Sequence, residues 1–111
     1  MRKLIVLVLA GLAIAAPAAA RTAGGTKVTV TATEFHFKLS KASAPAGSVT
    51  FVLVNKGHIG HDFAIAGKKT AVINPGQSAT LTVVLKKGSY PYSCTVPGHA
   101  SAGMKGKFTV T

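Results

Sequence analysis

Apolar and polar residues alternate with a period of two through most of the chain after its first quarter. Val28 and Val30 alternate with threonines, and Phe35, Phe37 and Leu39 alternate with polar residues. This is the period of an extended strand that turns one face to a core. No stretch of useful length beyond the first quarter shows the 3.6-residue period of an amphipathic helix. The pattern therefore predicts an all-β protein.

Turn-forming residues divide this pattern into short strands. Predicted strands after the first two are 49–54, 61–65, 79–85, 89–94 and 105–110. The first of these is nearly continuous in apolar, β-branched residues, which is typical of a strand buried in the interior of a sandwich. Turn residues separate them at 45–47, 55–57, 74–76, 87–88 and 97–98. Seven to eight strands in about 90 residues predict one Greek-key β-sandwich or barrel.

The first twenty residues differ from the rest of the chain. Arg2 and Lys3 precede an apolar run, which ends in three alanines at 18–20. This is the pattern of a cleaved secretory signal peptide; a membrane anchor is the alternative, but the run is shorter than the roughly 20 residues that span a bilayer. We therefore predict a signal peptide at 1–20, a short flexible leader at 21–26 and one domain at 27–111. Such a protein is exported, to the periplasm or an equivalent compartment.

The charge is strongly positive. Thirteen Lys and Arg stand against two acidic residues, for a formal charge of +11; removing Arg2 and Lys3 with the signal peptide leaves about +9. The lysines are scattered, with no basic helix and no aromatic stacking platform, which argues against nucleic acid as a partner. An acidic docking surface on a redox protein is the favoured partner, and peripheral contact with an anionic membrane is the alternative.

Cys94 is the single cysteine, and it begins an unusual loop. His99 and Met104 follow it, with four residues between each successive pair. Pro97, Gly98 and Gly103 supply bends that let the loop fold back, so that thiolate, imidazole and thioether reach one point. Two imidazoles and one thiolate with a more distant thioether form the donor set of a blue-copper electron-transfer site. A second imidazole is missing from this loop.

Three other histidines are candidates for that position. His36 alternates with two phenylalanines and is expected to face solvent if they enter the core. His61 begins a predicted strand directly after a bend, as a ligand at the end of a sandwich would. His58 lies within the bend. Position alone favours His61 over His58 without excluding the latter.

The combined motif resembles the cupredoxins, the plastocyanin and azurin superfamily, and most closely the small bacterial plastocyanin-like proteins. Its parts are Asn55-Lys-Gly57, His61 and the loop Tyr92-x-Cys94-x4-His99-x4-Met104, and the similarity covers nearly all of 27–111. The resemblance implies an eight-stranded Greek-key fold with one type 1 copper ion. It also implies imidazole ligands at His61 and His99, a thiolate ligand at Cys94 and an axial thioether at Met104.

Two further positions follow from the resemblance. Gly60 precedes the first histidine as in azurins, so we expect a weak contact between its carbonyl oxygen and the metal. Asp62 stands where plastocyanins and azurins have Asn, which leaves the ligands intact but puts the reduction potential in doubt.

The predicted function is single-electron transfer between redox partners by a monomeric, non-enzymatic copper protein. An enzyme is not expected, because the sequence shows neither a second metal cluster nor an acid/base pair: Glu34 and Asp62 are its only carboxylate side chains. A periplasmic copper carrier or resistance protein is the alternative function, and a metal-free β-sandwich binding module is a third. Zinc also suits these donors, but the affinity order of divalent metals favours copper.

Overall fold

A computed structural model describes residues 25–111. Residues 1–24, which include the predicted signal peptide and most of the predicted leader, lie outside the described residues. Within 25–111 the regular structure is β-strand, and no helix there is long and apolar enough to cross a membrane. The strands are β1 (Thr26–Thr33), β2 (His36–Leu39), β3 (Ser43–Ala44), β4 (Gly47–Asn55), β5 (Ala64–Ile65), β6 (Lys68–Lys69), β7 (Ser78–Leu85), β8 (Gly88–Ser93) and β9 (Lys105–Val110).

The strands form two sheets. One sheet has the order β2-β1-β4-β7, and the other has the order β3-β9-β8-β5-β6. Most neighbouring strands are antiparallel, but β1 pairs parallel with β4 and β3 pairs parallel with β9. The predicted all-β sandwich is confirmed. Seven predicted strands correspond to β1, β2, β4, β5, β7, β8 and β9, whereas β3 and β6 have two residues each, too few to show an alternating pattern.

An aromatic cluster fills the core between the sheets. The Phe51 ring of β4 lies 5.1 Å from the Phe63 ring and 5.3 Å from the Phe108 ring of β9, measured between centroids. All three residues are fully buried. Because Phe51 belongs to one sheet and Phe108 to the other, these contacts join the two sheets and bury their apolar faces.

Two details of the predicted pattern are corrected by the structure. Strand β4 is not uniformly buried: Val49, Phe51 and Leu53 are buried while the residues between them are partly exposed. Phe35 does not enter the core; it lies in the turn between β1 and β2 and is 40% exposed. The alternation breaks there because the chain reverses. Phe37 is buried and His36 is exposed, as expected.

The predicted strand at 61–65 is shorter in the structure. Only Ala64–Ile65 pairs as a strand, while His61 makes an isolated bridge to Ile73. His61, Asp62 and Phe63 are all buried, so the two-residue alternation of a surface strand is lost here. These three residues lead from one end of the sandwich into the core.

Three connections meet at this end of the sandwich. The β1–β2 turn follows Thr33, and the loop 56–60 follows Asn55, which pairs with Ala32 near the end of β1. The longer loop 94–104 joins the paired strands β8 and β9. The fold thus brings together three segments that are far apart in sequence.

Candidate metal centre

Three potential ligand atoms converge at this end of the sandwich. Nδ1 of His61 lies 3.2 Å from Nδ1 of His99, and Sγ of Cys94 lies 4.0 Å from the first nitrogen and 3.5 Å from the second. In the described part of the chain, these three residues form a group whose potential ligand atoms all lie within 4.8 Å of one another. Their exposed fractions are 0%, 7% and 1% for His61, His99 and Cys94. The site is therefore compact and nearly closed to water.

The loop before His61 is held by a buried amide. The side-chain nitrogen of Asn55 donates to the carbonyl oxygens of Ile59 and Ile73, each at 2.9 Å, and its side-chain oxygen accepts from the backbone N–H of Gly57 at 2.8 Å. His61 exchanges two backbone hydrogen bonds with Ile73. These bonds fix the position at which the His61 imidazole enters the site.

The loop 94–104 closes on itself through its backbone. Cys94 N–H donates to the Met104 carbonyl at 3.0 Å, and Met104 N–H donates to the His99 carbonyl at 3.1 Å. Gly98 and Gly103 have φ of 85° and 122°, a region that favours glycine. The loop therefore folds back as the spacing predicted, and its two ends lie side by side.

A carboxylate ties together the loops that carry His61 and Cys94. Asp62, the neighbour of His61, accepts hydrogen bonds from the backbone N–H of Thr95 at 2.6 Å and from the Thr95 hydroxyl. Thr95 is the neighbour of Cys94, and Asp62 is fully buried. The position of the thiol is thus coupled to the position of the first imidazole.

A second carboxylate contacts His61 from the opposite side of its ring. Oε2 of Glu34 lies 2.6 Å from Nε2 of His61, and the carboxylate also accepts from the backbone N–H of His58 at 2.9 and 3.0 Å. The hydrogen bond with His61 is the main reason that the pKa of Glu34 is lowered to about 2. Glu34 is therefore an anion beside the site.

The adjacent Phe35 covers the other imidazole. Its ring centroid lies 5.0 Å from that of His99, with an interplanar angle of 68°. The backbone carbonyl oxygen of Phe35 also approaches Gly103: a Cβ at position 103 would lie 3.3 Å from this oxygen. The β1–β2 turn thus contacts both histidines of the cluster.

Burial changes the chemistry of the thiol. Desolvation raises the pKa of Cys94 above its ordinary value. A metal that binds there must displace the thiol proton, because the thiolate is the form that coordinates metals.

The remaining predicted site residues have different positions. Met104 is fully buried, and its backbone carbonyl accepts a hydrogen bond from Cys94 N–H. Its axial role stays a prediction. Gly60 is partly buried against Val72, and its carbonyl contact with a metal also stays a prediction. His58 has a 95% exposed side chain, and exposed His36 lies in β2; the cluster contains neither of them.

Sequence reasoning missed Glu34 and Phe35 as neighbours of the site. Both lie in a turn that precedes the first predicted ligand by more than 25 residues. A signal was present for Glu34, since it is one of only two acidic residues in a strongly basic chain. No spacing rule connects a turn of this kind to a ligand so far along the sequence.

Comparison with known proteins identifies the family. A family model described as a Cupredoxin-like domain matches residues 4–110. The chain belongs to the cupredoxin-like family. Auracyanin-B of Chloroflexus aurantiacus is 51% identical to this cupredoxin over 43 residues. That stretch is 38% of this chain and 18% of the length of the relative.

Solved structures of auracyanins share the fold. Reduced auracyanin from the photosynthetic bacterium Roseiflexus castenholzii matches with a TM-score of 0.68 and 22% identity, over 80% of this chain and 98% of that chain. A structure of auracyanin B matches with a TM-score of 0.66 and 26% identity, over 78% and 88% of the two chains. These likenesses confirm the cupredoxin sandwich.

The donors present in this cupredoxin fit a copper ion. Two imidazole nitrogens and one sulfur atom converge in a buried site, and this combination of borderline and soft donors suits copper. Family membership and this group together confirm the predicted cofactor, one copper ion.

Proposed function

We propose that this cupredoxin carries single electrons between redox partners outside the cytoplasm. In this proposal His61, Cys94 and His99 hold the copper ion and Met104 supplies a weaker axial thioether. Bound copper supplies a one-electron couple. The observation that carries the proposal is the convergence of the three donor atoms within 4.8 Å in a buried pocket.

The ligand frame supports rapid electron transfer. Asn55 braces the loop before His61, and the hydrogen bonds between Asp62 and Thr95 couple that loop to the Cys94 loop. A frame held in this way limits how far the ligands move between oxidation states, which lowers the reorganisation cost of each transfer.

His99 offers the route by which electrons enter and leave. It is 7% exposed, and the neighbouring surface includes Phe35, Pro97 and Ala102, all exposed, with partly buried Ala100 and Val96 beside them. An apolar rim around a ligand lets a partner approach closely after water is expelled. We propose that partners dock on this surface.

The charge of the surface indicates the kind of partner. All ten lysines of the described chain are exposed, while one of the two carboxylates is fully buried and the other contacts His61. We therefore propose an acidic docking surface on the partner. An anionic membrane surface is the other surface that this charge would attract.

The decisive experiment is the visible spectrum of the mature protein after addition of Cu(II). An intense thiolate-to-copper band that bleaches on reduction and returns on oxidation supports electron transfer. The same titration of Cys94→Ala should give no such band. A colourless wild-type protein, or a band that survives in Cys94→Ala, would reject the proposal.

A copper carrier is the alternative function. The burial of all three ligands opposes rapid metal release, because a competing ligand has little access to the ion. Transfer of copper to a chelator should therefore be slow, while voltammetry of the same protein should show a reversible couple. Rapid transfer without a reversible couple would favour the carrier.

A further inference from the structure

We propose that Glu34 is a positioning residue that holds His61 in the tautomer with its proton on Nε2. The lone pair of Nδ1 is then directed at Cys94 and His99. The inference rests on the proposed copper function, and it assigns a role to a turn that lies outside the ligand loops.

The contact geometry is that of a carboxylate oriented by several donors. Oε2 of Glu34 is 2.6 Å from Nε2 of His61, and the backbone N–H of His58 donates to both carboxylate oxygens. Because His61 is 0% exposed, water does not compete for its Nε2 proton. A histidine that binds metal through one nitrogen commonly donates its other N–H to such a partner, which fixes its tautomer and raises its basicity.

Gly57 provides the space for this contact. A Cβ at this position would clash with Oε2 of Glu34 and would lie 3.0 Å from Nε2 of His61. Gly57 does not have a positive φ, so its backbone conformation does not itself demand glycine. The absence of a side chain there thus serves the approach of the carboxylate to the imidazole.

The distribution of charge supports a specific role for this contact. The chain has two acidic residues, and both contact the site: Asp62 through Thr95 and Glu34 through His61. The ten described lysines are all exposed instead. A solvent-facing carboxylate in such a basic chain would be expected to pair with lysine, yet the recorded ion-pair partners of Glu34 are His58 and His61.

The first test needs no metal. We would measure the ¹⁵N chemical shifts of the His61 ring in metal-free protein at pH 9, where an ordinary imidazole is neutral. Wild type should show the proton on Nε2, Glu34→Gln should keep this preference through its carbonyl oxygen, and Glu34→Ala should lose it. A proton on Nδ1 in the wild type, or an unchanged tautomer in Glu34→Ala, would overturn the inference.

The second test uses the copper form. Glu34→Ala should raise the reduction potential, because loss of the anion and of ligand basicity destabilises Cu(II). Its copper affinity should fall about 10–100-fold, as is usual when the hydrogen-bond partner of a metal-binding histidine is removed. An unchanged potential and affinity would contradict the role.

Two further variants separate this contact from general effects of charge and folding. Gly57→Ala keeps the carboxylate but displaces it from His61, so it should shift the potential in the same direction as Glu34→Ala. His36→Ala removes an exposed imidazole on β2 that takes no part in this contact, so its potential should match that of wild type. If Gly57→Ala does not fold, Glu34→Gln serves: neutral but still an acceptor, it should shift the potential less than Glu34→Ala, and equal shifts would reduce the effect to charge and overturn the inference.

Failure of this inference is distinguishable from failure of the proposed function. Wild-type protein that gives no blue-copper band would reject electron transfer, while the ¹⁵N experiment would still decide the tautomer. A reversible blue-copper couple with no response to Glu34→Ala would keep the function and reject the role of Glu34.

Discussion

Asp62 and Thr95 join the loops that carry His61 and Cys94 through a pair of hydrogen bonds to one carboxylate. The backbone N–H of Thr95 donates at 2.6 Å to one oxygen, and its hydroxyl donates to the other. Each residue directly follows a member of the His–Cys–His cluster in sequence. Because Asp62 is fully buried, these donors compensate for the removal of its charge from water.

Thr95→Val should destabilise the metal-free protein. The variant keeps the shape of the side chain and the backbone donor but removes the hydroxyl, which leaves one carboxylate oxygen without this partner. We expect a loss of about 1–3 kcal/mol in the free energy of unfolding, measured by urea denaturation. Thr109→Val, at an exposed position of β9, is the matched control and should change stability by less than about 0.5 kcal/mol. Equal effects of the two variants would refute the coupling.

Met104→Leu should keep copper and raise the reduction potential. Leucine is close to methionine in volume, so the free energy of unfolding should change by less than about 1.5 kcal/mol. The backbone hydrogen bonds of Met104 are unaffected. Under the proposed function the thioether of Met104 supports Cu(II), so its loss should destabilise that oxidation state. Voltammetry measures the shift. An unchanged midpoint would assign Met104 to core packing alone.

The order of residues in the sequence was enough to predict the loop 94–104. Cys94, His99 and Met104 are close in sequence, and Gly98 and Gly103 mark its bends, so local spacing contains most of its geometry. Period-two alternation likewise predicted the longer strands. Strands β3 and β6 were missed because two residues show no period, and their pairing depends on distant segments.

Glu34 shows what the sequence did not reveal. Its contact with His61 spans 27 positions and depends on how the β1–β2 turn meets the loop 56–60. Phe35 continues an alternating pattern that would carry it into the core, whereas the chain reverses at that residue. Contacts of this kind depend on the packing of separate elements, and a local pattern contains no information about it.

Phe51→Ala should cost about 3–5 kcal/mol in the free energy of unfolding, because it leaves a cavity and removes the aromatic contacts with Phe63 and Phe108. Denaturant unfolding of the metal-free protein measures the loss. Val84→Ala provides a control at a 78% exposed site and should fall within about 0.5 kcal/mol of wild type. A loss below about 1 kcal/mol in Phe51→Ala would contradict the packing described.

The stability of the metal-free protein should fall at alkaline pH. Burial raises the pKa of the Cys94 thiol. Above about pH 8.5, the ordinary pKa of a free thiol, the unfolded chain loses the proton while the folded chain retains it, so the free energy of unfolding decreases as pH rises. In Cys94→Ala, the free energy of unfolding should fall less as pH rises, because the contribution of the thiol is gone. Identical pH profiles for the two proteins would rule out the thiol as its cause.

Salt should change electron-transfer rates in opposite directions for oppositely charged reagents. The ten described lysines are exposed and the two carboxylates lie at the site, so the surface carries a positive field. The Debye length falls from about 10 Å at 0.1 M salt to about 3 Å at 1 M, so added salt screens this field. Oxidation of the reduced protein by ferricyanide should therefore slow as salt is added, while oxidation by a cationic cobalt complex should accelerate.

Two lysines that pair with the end of β8 next to Cys94 test where this steering acts. Lys105 and Lys107 begin β9, beside the end of β8 that leads into Cys94. Lys105→Gln combined with Lys107→Gln should reduce the salt dependence of the ferricyanide reaction more than Lys27→Gln combined with Lys86→Gln, which removes the same charge elsewhere. Stopped-flow rates between about 0.01 and about 1 M salt provide the comparison, since the Debye length falls from about 30 Å to about 3 Å over that range. Flat salt responses with both reagents would reject electrostatic steering, and with it the expectation of an acidic partner.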